Sequence, residues 1–215
     1  MNVFSKLSFI TIVSALLYSS FTTAAIVEYD NDKSGFDAAI ASMDTTVIDF
    51  ESTALGTSIT NQFASLGVSM SATPNGLTVQ DDVFGSNPIG NRALRVEWNG
   101  STQSVATLDF AAPISFFGAY FIDNRALVNT SIDLYNAGVF VASVSTTGET
   151  GNSAEWWGVV ANAGETFTQA VFTTTASGDG FGMDNLTFST VAVSSPAALT
   201  MLGLALVGLF FTRRS

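Results

Sequence analysis

The 215-residue chain contains no cysteine and no histidine. The first absence removes any disulfide framework, thiolate nucleophile or thiolate-bound metal. The second removes Ser-His-Asp and Cys-His catalysis, together with zinc or copper sites built on imidazole. Basic residues are few, seven against eighteen acids. Setting aside Lys6, Arg213 and Arg214 at the two ends leaves Lys33, Arg92, Arg95 and Arg125 against the same eighteen, a net charge of −14. So acidic a surface repels polyphosphates, which excludes nucleic acid as a partner. Glycine-rich phosphate loops need a strand–loop–helix setting, whereas Gly180 and Gly182 fall in a strand-patterned segment. What remains for chemistry is carboxylates, amides, hydroxyls and aromatic rings.

Long hydrophobic runs occur at the two ends, and they account for much of the mean hydropathy of +0.37. Met1–Ala25 carries one charge, Lys6, then an apolar stretch Leu7–Leu17 and the small residues Thr23-Ala24-Ala25. That is the layout of a secretory signal, with Ile26 as the new N-terminus. At the other end Ser194-Ser195-Pro196 precedes the uncharged run Ala197–Phe211, and Arg213-Arg214 closes it. A helix over 197–212 is short for a bilayer core of about 30 Å, but snorkelling arginines make insertion feasible. Terminal arginines also place the upstream domain outside the cytoplasm.

This short proline-containing motif, glycine-punctuated apolar helix and arginine pair resemble the PEP-CTERM sorting signal. Of the family's Pro-Glu-Pro, Pro196 is retained, and Ser194 and Ser195 stand in the other two places. The resemblance implies an exosortase-like processing enzyme as partner. It also implies a protein held in the inner membrane until the tag is cut, then passed to the cell surface or beyond. Retention as a plain membrane anchor is the alternative.

Between the ends, residues 26–190 are enough for one domain with its own core, and the pattern predicts an all-β fold with one short helix. Ser34 and Asp37 match a capping box, and Phe36, Ala39, Ile40 and Met43 form an apolar stripe, which predicts a helix over Ser34–Met43 across one end of the sheets. From Thr45 onward apolar residues alternate, with turns every eight to twelve residues. Strands are expected over Val47–Glu51, Thr57–Phe63, Gly67–Ser71, Ala93–Trp98, Ser104–Phe110, Ile114–Ile122 and Thr130–Tyr135. Val139–Ser145, Trp156–Ala161, Phe167–Thr174 and Gly182–Phe188 complete the series. Asn136-Ala137-Gly138 is a hairpin turn between two alternating runs, Ile132 and Leu134 on one side, Val139 and Val141 on the other. So many short strands rich in Val, Thr, Phe and Ile point to an antiparallel β-sandwich.

The order short helix, Ile-Asp-Phe-Glu, Gly-Val-Ser-Met, Ala-Pro-Ile-Ser-Phe-Phe-Gly, then Gly-Phe-Gly-Met-Asp-Asn-Leu-Thr-Phe is similar to jelly-roll domains found ahead of PEP-CTERM tails. The similarity supports the sandwich and supplies no activity. In outline the domain also resembles carbohydrate-binding jelly rolls. There, acids on the first and last strands share a structural calcium, a hard cation suited to carboxylate oxygens. That resemblance implies Glu51 and Asp184 as ligands, with Asp49 a third, two residues from Glu51 on the same sheet face. The alternative is an exposed edge for Asp49 and Glu51, and local amide bonding for Asp184. Asp81-Asp82 near Asn87 and Asp179 read as turn residues, and Asp123-Asn124, at the end of an apolar strand, either binds a cation or caps the turn.

Glu155-Trp156-Trp157 suggests a ligand platform. Neighbours on a strand face opposite ways, so one ring fills the core while the other lies open beside an acid, as a sugar platform requires; the alternative buries both. Trp98 is a second, weaker candidate. A glycosidase needs two carboxylates about 5–9.5 Å apart across a cleft. The expectation is therefore a non-enzymatic binding or structural protein of the envelope or extracellular matrix, with polysaccharide as a partner. A carboxylate-based glycan hydrolase is the competing reading.

Overall fold

A computed structural model describes residues 26–85, 89–97, 103–122, 128–147, 154–162, 164–174 and 180–190. Outside these lie the signal segment 1–25 and the tail 191–215, with Ser194, Ser195, Pro196, Arg213, Arg214 and the helix expected over 197–212. Asn87, Trp98, Asp123-Asn124 and Asp179 lie outside them too. Among the described residues no helix is long and apolar enough to cross a membrane.

Among the described residues twelve strands and one α-helix, besides a 3-10 turn at Ala64–Leu66, follow in the order β1 (Ile26–Asp30), α1 (Lys33–Ile40), β2 (Thr45–Ile48), β3 (Val68–Thr73), β4 (Leu77–Gln80), β5 (Ala93–Val96) and β6 (Val105–Ile114). Then come β7 (Phe116–Ile122), β8 (Val128–Asn136), β9 (Val139–Thr147), β10 (Ala154–Ala161), β11 (Phe167–Thr173) and β12 (Phe181–Ser189). A larger sheet runs β1-β10-β7-β12-β5-β4, with β2 also on β12; a smaller one runs β3-β6-β11-β8-β9. Every pairing is antiparallel. The sheets share one core, in which Phe117, Phe121, Trp157, Phe172 and Phe181 contact one another edge-on or tilted.

Helix α1 is shorter than expected and starts differently. Asp32, not Ser34, caps it by accepting from the Gly35 N–H at 2.8 Å, and Asp37 pairs with Lys33 instead. It lies on the outer face of the larger sheet against β10 and β1 rather than across an end. Gly118 and Gly158 face each other across β7 and β10, and Phe36 fills the space above them. A Cβ on Gly158 would stand 2.8 Å from that ring, so the glycine pair is what admits it. Ile40, Phe116, Trp156 and Val160 complete this second, separate core.

The strand series differs from the expected one in three places. β1 and β4 are additional short strands, and both lie at edges of the larger sheet. Thr57–Phe63 is not a strand but irregular, touching β4 through a single bridge, Ser58 to Thr78. There Gln62 accepts from the Thr60 N–H and donates to the Ser58 carbonyl, local bonds that compete with a ladder. The β8–β9 hairpin forms as expected, with Ala137 and Gly138 both at positive φ (48° and 80°) as a two-residue type I′ turn demands.

Candidate functional site

Two places bring chemistry-bearing side chains together. The first lies in the larger sheet, where β12 pairs with β5 through Phe181–Met183 and with β2 through Leu186–Ser189. Asp184 and Asn185 occupy the gap between these partners. The turn leaving β2 and the loop entering β5 both converge there. Asp184 is wholly buried; its carboxylate accepts from the Asn185 N–H at 2.7 Å and the Ile89 N–H at 2.9 Å. Glu51 accepts from the amides of Asn91 (2.6 Å) and Arg92 (3.1 Å) and from the Asn91 side chain. Arg92 in return donates to the Glu51 and Thr53 carbonyls. Gly90, at φ +105°, lets the loop pass so close that a Cβ there would collide with the Glu51 carboxylate.

Asp49 and Glu51 do not share a sheet face, because β2 ends at Ile48. The chain turns at Phe50, which has φ +59° and a buried ring, and Asp49 accepts from the Glu51 N–H. Asn185 likewise has positive φ. Backbone in this region is uncommon for residues other than glycine, and both instances flank the acids. Burial pushes the Asp184 carboxyl up to about 7; the Asn185 and Ile89 amides oppose the shift, and the charges of Glu51 and Asp49 add to it. The Asn91 amide, aided by Arg92, holds Glu51 below its ordinary value.

The carboxylates implied as calcium ligands are therefore acceptors for backbone amides: Asp184 and Glu51 hold the 89–92 loop, and Asp49 holds the turn after β2. Among the described residues no group of three or more acidic side chains is placed to hold a metal. Asp82 is a turn residue, accepting from the Gly85 N–H.

Trp156 and Trp157 overturn the expectation of an open ring. They face opposite ways, but both sides of β10 are covered, and the rings are 3 % and 1 % exposed. Trp157 sits in the core between the sheets, and Trp156 lies under α1 against Phe36 with the Lys33 ammonium 4.9 Å above it. Neither can stack on a ligand.

The second place has no counterpart among the residues singled out in the sequence. On the smaller sheet, strand alternation buries Leu108, Ala170 and Leu134 inward and leaves their neighbours facing out. The registers align Ser69, Asp109, Gln169, Tyr135 and Phe140 in one row across all five strands. Strands about 4.8 Å apart make this row about 19 Å long. The next row is Ser71, Thr107, Val171, Asp133 and Ser143. Gln169 donates to Asp109 at 2.6 Å. At the far end Phe140, 55 % exposed, meets Tyr135 edge-to-face with ring centroids 5.8 Å apart. A bulge causes this: Leu134 pairs with Ala142 but Tyr135 pairs with Phe140, so Val141 is the extra residue and Phe140 is re-aimed beside Tyr135. The hairpin tip is fixed by bonds from Asn136 to Thr166 and from the Ala137 N–H to Thr168.

The signal for this row is present in the alternation of Ile132 and Leu134, which sends Tyr135 outward. The bulge is not legible, and Val139, expected inward with Val141, is 68 % exposed. A shallow cavity of about 190 Å³ beside Leu66, Pro113 and Phe188 has no charged lining residue and offers no chemistry.

No protein-family model and no curated protein matches the chain. Among solved structures, the K2 cleaved adhesin domain of Lys-gingipain is similar at 14 % identity and TM-score 0.45, covering 68 % of this chain and 99 % of its own. The family 32 carbohydrate-binding module of C. perfringens NanJ has 18 % identity and TM-score 0.38, over 56 % and 92 % of the two chains. A point mutant of a family 29 carbohydrate-binding module has 14 % identity and TM-score 0.41, over 69 % and 92 %. At these values the likenesses carry no argument about ligand or activity.

Proposed function

We propose that the domain is a non-catalytic binding module of an exported, surface-directed protein, and that it holds polysaccharide on the open face of the smaller sheet. The observation that carries this is the exposed Phe140 ring set against half-buried Tyr135 at the end of a polar row. An exposed aromatic face stacks on the apolar C–H face of a sugar ring, and flanking amides and carboxylates bond its hydroxyls. The reading is non-catalytic because Glu51 and Asp184, the acids brought close together, are engaged by backbone amides rather than facing a cleft. Export and sorting rest on the sequence of the two ends: a secretory signal over Met1–Ala25, and a PEP-CTERM-like tail acted on by an exosortase-like enzyme. Cell-surface or matrix placement follows if that tail is processed, membrane anchorage if it is kept.

The test is retention of the detergent-solubilised full-length protein on a panel of immobilised polysaccharides. Retention is expected for the native protein and loss for Tyr135→Ala/Phe140→Ala, with circular dichroism unchanged. Equal retention of the variant would reject this face as the site. No retention of the native protein on any glycan would reject the function.

A further inference from the structure

Resting on that reading of the sheet face, the charge of the surface narrows the ligand class. We infer that the row Ser69–Asp109–Gln169–Tyr135–Phe140 takes an uncharged, hydroxyl-rich glycan chain lying across the strands, and rejects anionic glycans.

Two of the groups on the two rows, Asp109 and Asp133, accept only, while the hydroxyls of Ser69, Ser71, Thr107, Ser143 and Tyr135 can donate or accept. Asp109 uses one carboxylate oxygen for the Gln169 amide at 2.6 Å and keeps the other, Gln169 keeps its amide oxygen, and Asp133 adds a second carboxylate one row away. Carboxylates accept only, so the partner must bring the hydrogens, and sugar hydroxyls are such donors. The described cations are on the other side of the molecule, and Arg125 lies outside the described residues. Among the described residues, Lys33 lies on α1, Arg92 in the loop entering β5 and Arg95 on β5, all against the larger sheet. A uronate, sulfate or phosphate reaching the smaller sheet meets two carboxylates and no described counter-charge, within a domain of net charge −14. Like-charge juxtaposition across an interface opposes binding by several kcal/mol.

The direction of the chain follows from the same registers. The aromatic pair is at one end, on the outer strands β8 and β9, the amide–carboxylate pair is central on β11 and β6, and Ser69 closes the row on β3. A ring stacked on Phe140 therefore places the following units over Gln169 and Asp109. A chain laid along the strands would reach only one of these groups.

The test uses matched polymers: hydroxyethyl cellulose, xylan and galactomannan as neutral members, carboxymethyl cellulose, alginate and polygalacturonate as anionic ones, and chitosan as a cationic one. The detergent-solubilised full-length protein is expected to be retained by at least one neutral polymer, equally at low and high salt, and by no anionic one. Gln169→Ala is expected to weaken that retention about tenfold, the loss of one or two hydrogen bonds. Asp109→Asn/Asp133→Asn is expected to let the protein bind carboxymethyl cellulose. Equal retention on neutral and anionic polymers overturns the charge selection and leaves glycan binding standing. Preference for chitosan that salt abolishes overturns it in favour of simple electrostatic attraction. No retention by any polymer removes the underlying reading as well.

Discussion

The two sheets face each other across one core, yet their outer faces have opposite fates. In the larger sheet, Trp156, Gly158 and Val160 of β10 point away from the shared core and are buried all the same, under α1 and its Phe36. Its strands β7 and β12 are buried along nearly their whole length. In the smaller sheet β6 alternates, with Ala106, Leu108 and Phe110 inward and Val105, Thr107 and Asp109 at the surface. A sheet covered on both faces is used for stability, and one covered on a single face presents a regular array of side chains to solvent. The same helix that makes the first sheet robust removes it as a platform. This is why Trp156 and Trp157 are structural, while a phenylalanine and a tyrosine on the other sheet stay at its surface.

The largest expected effect tests the covered face. Phe36 is fully buried between Tyr29, Phe116 and Trp156 above the glycine pair. Phe36→Ala is expected to destabilise by about 3–5 kcal/mol, through lost burial and the cavity left behind. Equilibrium denaturant unfolding measures it. A loss below about 1 kcal/mol would mean that α1 is an appendage and that the face beneath it is available after all.

The acidic gap in the larger sheet gives a smaller effect with a definite sign. Asp184 holds its proton up to about 7, well above the ordinary aspartate value of about 3.9. The folded state therefore binds more protons than the unfolded one between these values. The stability tied to that proton is fully present below the ordinary value and is lost as pH rises through about 7. Glu51 acts in the other direction: its pKa is lowered, so its contribution is present above the ordinary glutamate value and is lost as pH falls through the lowered one. The melting temperature is thus expected to rise as pH is lowered from 8 toward the ordinary carboxylate range, and to fall once Glu51 is protonated below it. Asp184→Asn should flatten the first limb. Millimolar calcium should leave the profile unmoved; a calcium-dependent rise at pH 8, abolished in Glu51→Ala/Asp184→Ala, would show that a cation displaces the loop amides.

How much of this is legible in the chain follows from the same contrast. Period-two alternation is a local property, so β6, β8, β9 and β11, the hairpin turn and the sandwich class can be read from neighbouring residues. What covers an outer face is not local. Nothing around Trp156 announces that Phe36, 120 positions earlier, will lie on it, and so the sequence alone suggests an open ring. Glu51 and Asp184 stand out together on resemblance, and the structure does bring them to one place. Their role as loop acceptors depends on Gly90 and on positive φ at Phe50 and Asn185, which no spacing rule reveals. Alternation of Ile132 with Leu134 and of Val139 with Val141 sends Tyr135 and Phe140 outward, but that the two rings stand opposite each other depends on the bulge at Val141, which no local pattern announces.

The smallest effect completes the comparison by making the same deletion on the open sheet. Phe140 is mostly in solvent and touches Tyr135 through one edge-to-face contact, so Phe140→Ala is expected to change stability by no more than about 1 kcal/mol. The same unfolding experiment used for Phe36 checks it. Two phenylalanines with several-fold different costs would show that the ring at position 140 is not held for the fold. A cost close to that of Phe36 would mean that something covers this face, and the row ending in Phe140 would then be packing rather than a platform.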